Sequence, residues 1–347
     1  MRLPSWVAGV VAAAAFTALG TAHAAAACTP NANGSSVFFV TDREPLPDAP
    51  RFSGERGIDD KLAATGTAGI LAPAAGGIEQ RCGAPAAILD ALKPGFNEKR
   101  GRQLLIYVHG YYTSFLEAAA DARAVAAGLD FPGPVILYSW PSKVTSRLAY
   151  MTDETNAEWS LPHFIDLLAA LQAKYPGIRV SFATHSLGSR FAMNGLRSIR
   201  QSSCPTCFGR AVFFAPDVDS ATLHAELVAS KLCSGAPLLH PVTSAPITIY
   251  VSNKDLALRG SQNVHGHQRA GQAGTELILC SGVDTIDVSY RKSDDRAGHS
   301  YQTEAPFLAD AAAAEAGYPS TSPVRGLKPA DRAGGRYYEL HDAPAKK

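Results

Sequence analysis

The stretch Arg179-Val180-Ser181-Phe182-Ala183-Thr184-His185-Ser186-Leu187-Gly188-Ser189-Arg190 decides how this chain is read. Residues 179–183 form a short apolar run with the length and composition of a buried strand, and residues 189–199 are expected to form a helix. Between them lie small residues two places before and two places after Ser186. A strand that turns at once into a helix needs small side chains there, and the corner residue is pushed out beyond the end of the sheet. A serine at that corner becomes a nucleophile if a base can reach it. Gly188 fits the pattern, whereas Thr184 stands where glycine is usual. His185 is expected to pack or to wall a pocket, because its side chain should point away from Ser186. A short Ser/Gly pattern is a weak signal alone, and an ordinary strand–helix turn of a Rossmann-like domain has the same outline.

The flanking chain strengthens the case. Residues 104–108 and 135–138 are continuous apolar runs of the kind found in strands buried on both faces of a parallel sheet. Further strands are expected at 37–40, 211–215, 247–251 and 283–288. Helices are expected at 115–128, which is Ala-rich and ends at a glycine, at 157–174, where apolar residues recur at helical spacing, and at 189–199 and 305–316. Strands alternating with helices predict a mostly parallel sheet with helices on both faces.

Three further segments supply what Ser186 needs. Val108-His109-Gly110-Tyr111-Tyr112 follows a buried strand, and the loop in that position can turn one backbone N–H toward a developing oxyanion. Tyr111 is taken as that donor, with Gly110 as its neighbour and alternative. Leu187, the residue after the nucleophile, would supply the second N–H. His109 is expected to order the loop by hydrogen bonding. Asp255 follows the strand expected at 247–251 and is the favoured acid. Asp217 and Asp219, in Ala215-Pro216-Asp217-Val218-Asp219, are the alternatives after the preceding strand. His299, in Gly298-His299-Ser300-Tyr301, follows the last strand and is the expected general base. His224, His240, His265 and His267 compete with it, the last two being placed in a Gly-rich loop. The chain order Ser, Asp, His belongs to the α/β-hydrolase fold.

These segments together resemble the bacterial α/β-hydrolases of unknown function catalogued as the DUF900 type. The resemblance is carried by the elbow at Ser186, by Tyr138-Ser139-Trp140-Pro141-Ser142, and by the segments around Asp217, Asp255 and His299. It begins at Val37-Phe38-Phe39-Val40-Thr41-Asp42-Arg43 and runs to about Phe307. It implies the hydrolase fold and a Ser186–Asp255–His299 triad, but no substrate. Residues 142–158, with Tyr111, Tyr112, Tyr150 and Met151, are expected to line an acyl pocket or to form a lid, and ordinary packing explains them as well.

The ends of the chain bear on location. Arg2 precedes an apolar run that stops at Leu19, short of the roughly 20 residues a membrane span needs. Thr21-Ala22-His23-Ala24 then has small residues at the positions a signal peptidase reads. Residues 1–24 are therefore expected to be a signal peptide and 25–36 a flexible N-terminus. Residues 37–318 are expected to form the hydrolase domain, and 319–347 a loosely packed or disordered tail. Six cysteines (Cys28, Cys82, Cys204, Cys207, Cys233 and Cys280) suit an exported, disulfide-bonded protein. If Cys204 closes on Cys207, then Cys28 with Cys82 and Cys233 with Cys280 are the simplest remaining pairs. Lipidation at Cys28 is disfavoured, since Ala25 stands where leucine is usual.

The 347 residues are 46% hydrophobic and carry a formal net charge of +1, which gives no basic excess for nucleic acid. No zinc spacing or cofactor motif appears. The reading is an exported periplasmic or secreted serine hydrolase that acts on a small-molecule or lipid ester without metal or cofactor. It would keep no transmembrane segment after signal removal. An acyltransferase using the same triad, or a non-catalytic exported binding protein on the same fold, are the alternatives.

Overall fold

A computed structural model describes residues 28–30, 36–47, 52–57, 66–72, 77–143, 149–235, 243–292 and 295–342. The segment expected to be a signal peptide, and residues 144–148 of the expected lid, lie outside them.

Chain order is β1 (Val37–Thr41), β2 (Arg43–Pro45), β3 (Phe52–Arg56), β4 (Thr67–Leu71), β5 (Ile78–Gly83), α1 (Ala86–Ala91), β6 (Gln103–Val108), α2 (Phe115–Leu129), β7 (Val135–Ser139) and α3 (Tyr150–Lys174). There follow β8 (Arg179–His185), α4 (Ser189–Gln201), β9 (Phe208–Phe214), α5 (Ser220–Ala229), β10 (Ile247–Val251), α6 (Leu256–His265), β11 (Val283–Asp287), α7 (Ala305–Glu315), β12 (Lys328–Arg332) and β13 (Gly335–Glu339). Eleven strands pair in the order β12-β13-β11-β10-β9-β8-β6-β7-β1-β4-β5. From β13 to β1 every pairing is parallel, and only the outer pairings β12–β13, β1–β4 and β4–β5 are antiparallel.

Successive side chains of a strand face opposite sides, so a strand covered on both faces must be apolar throughout. β6 illustrates this. Leu104, Ile106 and Val108 join one core with α3, α4 and α5, while Leu105 and Tyr107 join the other with α2 and α7. On the first side Phe164, Phe182, Phe191 and Tyr138 pack edge-on or tilted against one another. Helix α2 starts with a capping box, Ser114 accepting from the Glu117 N–H and Glu117 from the Ser114 N–H. The parallel, doubly covered sheet is the α/β-hydrolase architecture expected from the alternation of apolar runs.

Three expectations need correction. Helix α3 begins at Tyr150 rather than near residue 157, so part of the expected lid is helix. Its first turns bury Asp153, Asn156, Ser160 and His163, and a polar buried face carries no hydrophobic period to read. His265 closes helix α6 and does not sit in a loop. Finally, residues 319–342 are not a loose tail. Strand β13 pairs parallel with β11, β12 folds back on it, and Arg325 is buried between Asp310 and Asp284. The domain therefore runs past residue 318.

The disulfides are Cys28–Cys82, Cys204–Cys207 and Cys233–Cys280. The first ties the described N-terminal residues to β5, where Thr29 N–H also reaches Gln80 Oε1 at 3.1 Å. Among the described residues no helix is long and apolar enough to cross a membrane.

Candidate active site

Strand β8 delivers Ser186 to the C-terminal edge of the sheet. Ser186 has φ 51°, in the left-handed region that side-chain-bearing residues rarely adopt. Such a conformation costs on the order of 1–3 kcal/mol and persists only where its surroundings impose it. Here the Asp217 N–H donates to the Ser186 carbonyl at 3.1 Å, and a tight turn over Ser186–Gly188 leads into α4. Gly188 is required by contact. A Cβ there would lie 2.4 Å from the His109 oxygen and 2.5 Å from that of Val108. Thr184 is accommodated where glycine is usual because its hydroxyl meets Ser189 Oγ at 3.0 Å.

The loop after β6 comes against this corner. A Cβ on Gly110 would approach His185 Nδ1 to 2.8 Å and Ser186 Cβ to 3.0 Å, so the backbone of residue 110 lies directly beside the serine. Tyr111 and Leu187 are the residues next to these two contacts. His109 orders the loop as expected. Its ring stacks on Trp140 at 5.0 Å, and Arg43 donates to its Nε2 at 3.1 Å. An arginine can only donate, so Nε2 accepts and Nδ1 carries the proton donated to the Gly110 oxygen at 2.7 Å. Burial, and then the Arg43 charge, hold the His109 pKa well below its ordinary value, which keeps this tautomer neutral.

Arg43 went unnoticed as a working residue in the sequence. Fully buried, it donates to Ser139 Oγ (2.9 Å), to the Ser53 and Ser142 oxygens (each 3.3 Å), to His109, and to the Thr113 oxygen (2.7 Å). It thus joins the ends of β1 and β7 to the loop beside Ser186. Asp153 holds the same loop from α3, accepting the Tyr112 N–H at 3.2 Å and the Ser142 hydroxyl at 2.6 Å. Tyr112, at φ 55°, is a second left-handed residue. The sequence signals for Arg43 were a charge placed shortly after a buried strand and its place at the end of the first segment carrying the family resemblance.

Asp255 follows β10 and caps α6. Its Oδ1 accepts the Leu258 N–H at 2.8 Å, which leaves Oδ2 2.6 Å from His299 Nδ1. Both residues are buried. Burial alone would lower the His299 pKa, but the Asp255 charge and hydrogen bond outweigh it, and the net shift is upward from 6.5. The loop carrying His299 is shaped by Asp295, another residue the sequence did not single out. It accepts the N–H groups of Ala297 (3.1 Å), His299 (2.8 Å) and Ser300 (2.9 Å). His185 lies beside this pair. Its ring centroid lies 4.8 Å from that of His299, and its Nε2 donates to the His299 oxygen at 3.2 Å. Burial, then the neighbouring His299, lower the His185 pKa to about 3, so it stays neutral.

The carboxylates of Asp217 and Asp219 are engaged elsewhere. Asp217 pairs with Arg269 Nε at 2.7 Å and accepts Tyr150 Oη at 2.5 Å and Ser261 Oγ at 2.6 Å. Burial opposes its ionisation, yet Arg269 and these hydroxyls hold its carboxyl below the usual range. Asp219 caps α5 through the Thr222 N–H at 2.8 Å. Of the residues considered as pocket liners, Tyr111 meets Tyr112 and Tyr150 at ring distances of 5.8 and 5.4 Å, and Met151 is 69% exposed. His265 pairs with Glu154 at 2.8 Å. His224 groups with the sulfurs of Cys233 and Cys280, but those sulfurs are bonded to each other, which leaves a single ligand.

A doubly covered parallel sheet with a strained serine at a strand–helix corner, and an Asp–His pair after later strands, defines the α/β-hydrolase class. Residues 86–315 match the family described as alpha/beta hydrolase of unknown function (DUF900), and the chain belongs to that family. The matched span contains Tyr111, Ser186, Asp255 and His299. No curated protein matches the chain.

Proposed function

We propose that the chain is a serine hydrolase that cleaves carboxylic esters through an acyl-enzyme on Ser186. The observation that carries this reading is the left-handed Ser186 at the sheet edge, next in the chain to His185, whose ring lies 4.8 Å from that of His299 in a buried pair with Asp255 at 2.6 Å. His299 takes the Ser186 proton as Oγ attacks the ester carbonyl, then returns it to the leaving alcohol. Water repeats the sequence to release the acid. Asp255 keeps the Nδ1–H of His299 in place, so that Nε2 is the basic nitrogen. The N–H groups of Tyr111 and Leu187 bind the developing oxyanion, each worth on the order of 3 kcal/mol in such sites. A small-molecule or lipid ester is the substrate class. No metal or organic cofactor takes part in these steps. Export with removal of residues 1–24, to the periplasm or beyond, is part of the proposal. Three disulfides support it, since such bonds persist in oxidising compartments.

The test is labelling of the folded, disulfide-intact protein by a fluorescent fluorophosphonate, beside Ser186→Ala and His299→Ala. Wild type should label and neither variant should. An unlabelled wild type overturns the reading.

The raised His299 pKa also sets a pH profile. The neutral ring is the base, so kcat/KM should rise as pH climbs through a value above 6.5 and fall about tenfold per unit below it. Stability should move the other way. A pKa raised on folding means that charged His299 stabilises the fold below about 6.5, and this contribution is lost as pH rises through the folded value. An acid limb below 6.5 would contradict the assignment.

A further inference from the structure

The amino-terminal edge of the sheet lies opposite the edge that carries Ser186, and it holds a cavity of about 600 Å³. The starts of β6, β8, β9 and β10 border it, together with the end of α7. Its volume is that of an ordinary small-ligand site. Three arginines line it. Arg100 comes from the turn before β6, Arg179 is the first residue of β8, and Arg210 lies in β9.

The three guanidinium groups are held differently. Arg210 is fixed at the base, where it donates to the Ser244 hydroxyl and the Ala245 carbonyl and approaches Glu315 Oε2 at 3.7 Å. Arg179 reaches over the neighbouring turn and donates to the Arg100 oxygen at 3.2 Å. Among the described residues, neither Arg100 nor Arg179 has a carboxylate within ion-pair distance. Residues 236–242, which lead toward Ser244, contain no Asp or Glu. Among the described lining residues Glu315 is the one carboxylate, set against three permanent cations.

A concave site with an excess of fixed positive charge concentrates anions. Guanidinium forks fit carboxylate and phosphate oxygens alike, so the number of forks decides between them. A planar carboxylate offers two oxygens in one plane. A phosphate group offers oxygens in several directions, which suits Arg100 and Arg179 arriving from separate elements, with Arg210 adding its charge from a fixed position. We propose that this cavity binds a phosphate-bearing ligand, either a soluble phosphate ester or the headgroup of a phospholipid. The site is separate from Ser186, and the inference does not depend on the hydrolase reading.

The experiment titrates the folded, disulfide-intact protein calorimetrically with glycerol 3-phosphate, with glycerol as the uncharged control. Vesicles of phosphatidylcholine, with and without phosphatidylglycerol, are sedimented in parallel. The variants are Arg179→Gln and the double variant Arg100→Gln/Arg179→Gln, whose side chains take no part in the proposed chemistry. At least one phosphate probe should bind wild type, about tenfold more weakly in the single variant and undetectably in the double. Fluorophosphonate labelling should be the same in all three proteins. Binding of glycerol 3-phosphate alone assigns a soluble ligand. Arginine-dependent sedimentation with the anionic vesicles assigns a lipid headgroup. Wild type binding neither probe, or the double variant binding as well as wild type, overturns the proposal.

Discussion

Replacing Asp255 with asparagine should lower kcat on a simple ester such as p-nitrophenyl acetate by on the order of 10^4, with the fold intact. The loss comes from the tautomer. Asp255 Oδ2 accepts the His299 Nδ1–H at 2.6 Å, and an amide can instead turn its NH2 toward that nitrogen. The ring proton then moves to Nε2, and His299 can no longer take the Ser186 proton. The other carboxylate oxygen caps α6 through the Leu258 N–H at 2.8 Å, and asparagine caps a helix about as well as aspartate, so stability should change little. Asp217→Asn is the control, because Asp217 was the rival acid. That change strands the buried Arg269 cation, and its main cost should be in stability, about 3–5 kcal/mol as for other broken buried pairs. Its kcat, measured below its unfolding temperature, should fall far less than that of Asp255→Asn. If Asp217→Asn abolishes turnover while Asp255→Asn spares it, the assignment of the acid is wrong.

The contrast between these two aspartates shows how far the residues could be read before the fold was seen. Ser186 was legible because its signal is local, a strand, a corner and a helix within twelve positions. The positions of Asp255 and His299, each following an apolar strand, were legible by chain order. What holds them was not. Apart from Ser53, Arg43 acts on residues 66 to 99 positions away, and Asp153 on a loop 41 positions away. Such contacts are polar, depend on a single atom each, and leave no period along the chain. For the same reason α3 was read two turns short. Its buried face at Asp153, Asn156, Ser160 and His163 has the composition of an exposed one. Asp42 meets part of that face, accepting from the Ser160 hydroxyl and lying 3.0 Å from His163 Nδ1, while Tyr138 Oη donates to it at 3.0 Å. Hydrophobic patterning reports burial only where burial is apolar.

The C-terminal segment was misread for the same reason, and it yields the second large prediction: Arg325→Ala should cost about 3–5 kcal/mol of stability. Rich in proline, glycine and charge, residues 319–342 resemble a solvated tail, yet one arginine anchors them. Arg325 is fully buried and donates to Asp310 Oδ1 at 2.8 Å, to Asp310 Oδ2 at 3.2 Å and to Asp284 Oδ2 at 2.5 Å. Tyr250 Oη completes the group on Asp310 at 2.6 Å. The carboxylates come from α7 and β11, so the pairing fastens the segment to a helix and to the strand that β13 extends. Removing the cation leaves two buried carboxylates without compensation, and such a charge costs far more than the lost packing of one side chain. Arg325→Met separates the two effects, since it keeps most of the volume and loses only the charge. In urea unfolding it should be nearly as destabilised as Arg325→Ala. Arg325→Met combined with Asp310→Asn should recover part of the loss, because one stranded carboxylate becomes a neutral amide. A methionine variant as stable as wild type would mean that the segment is held by packing along β13 and not by this ion pair.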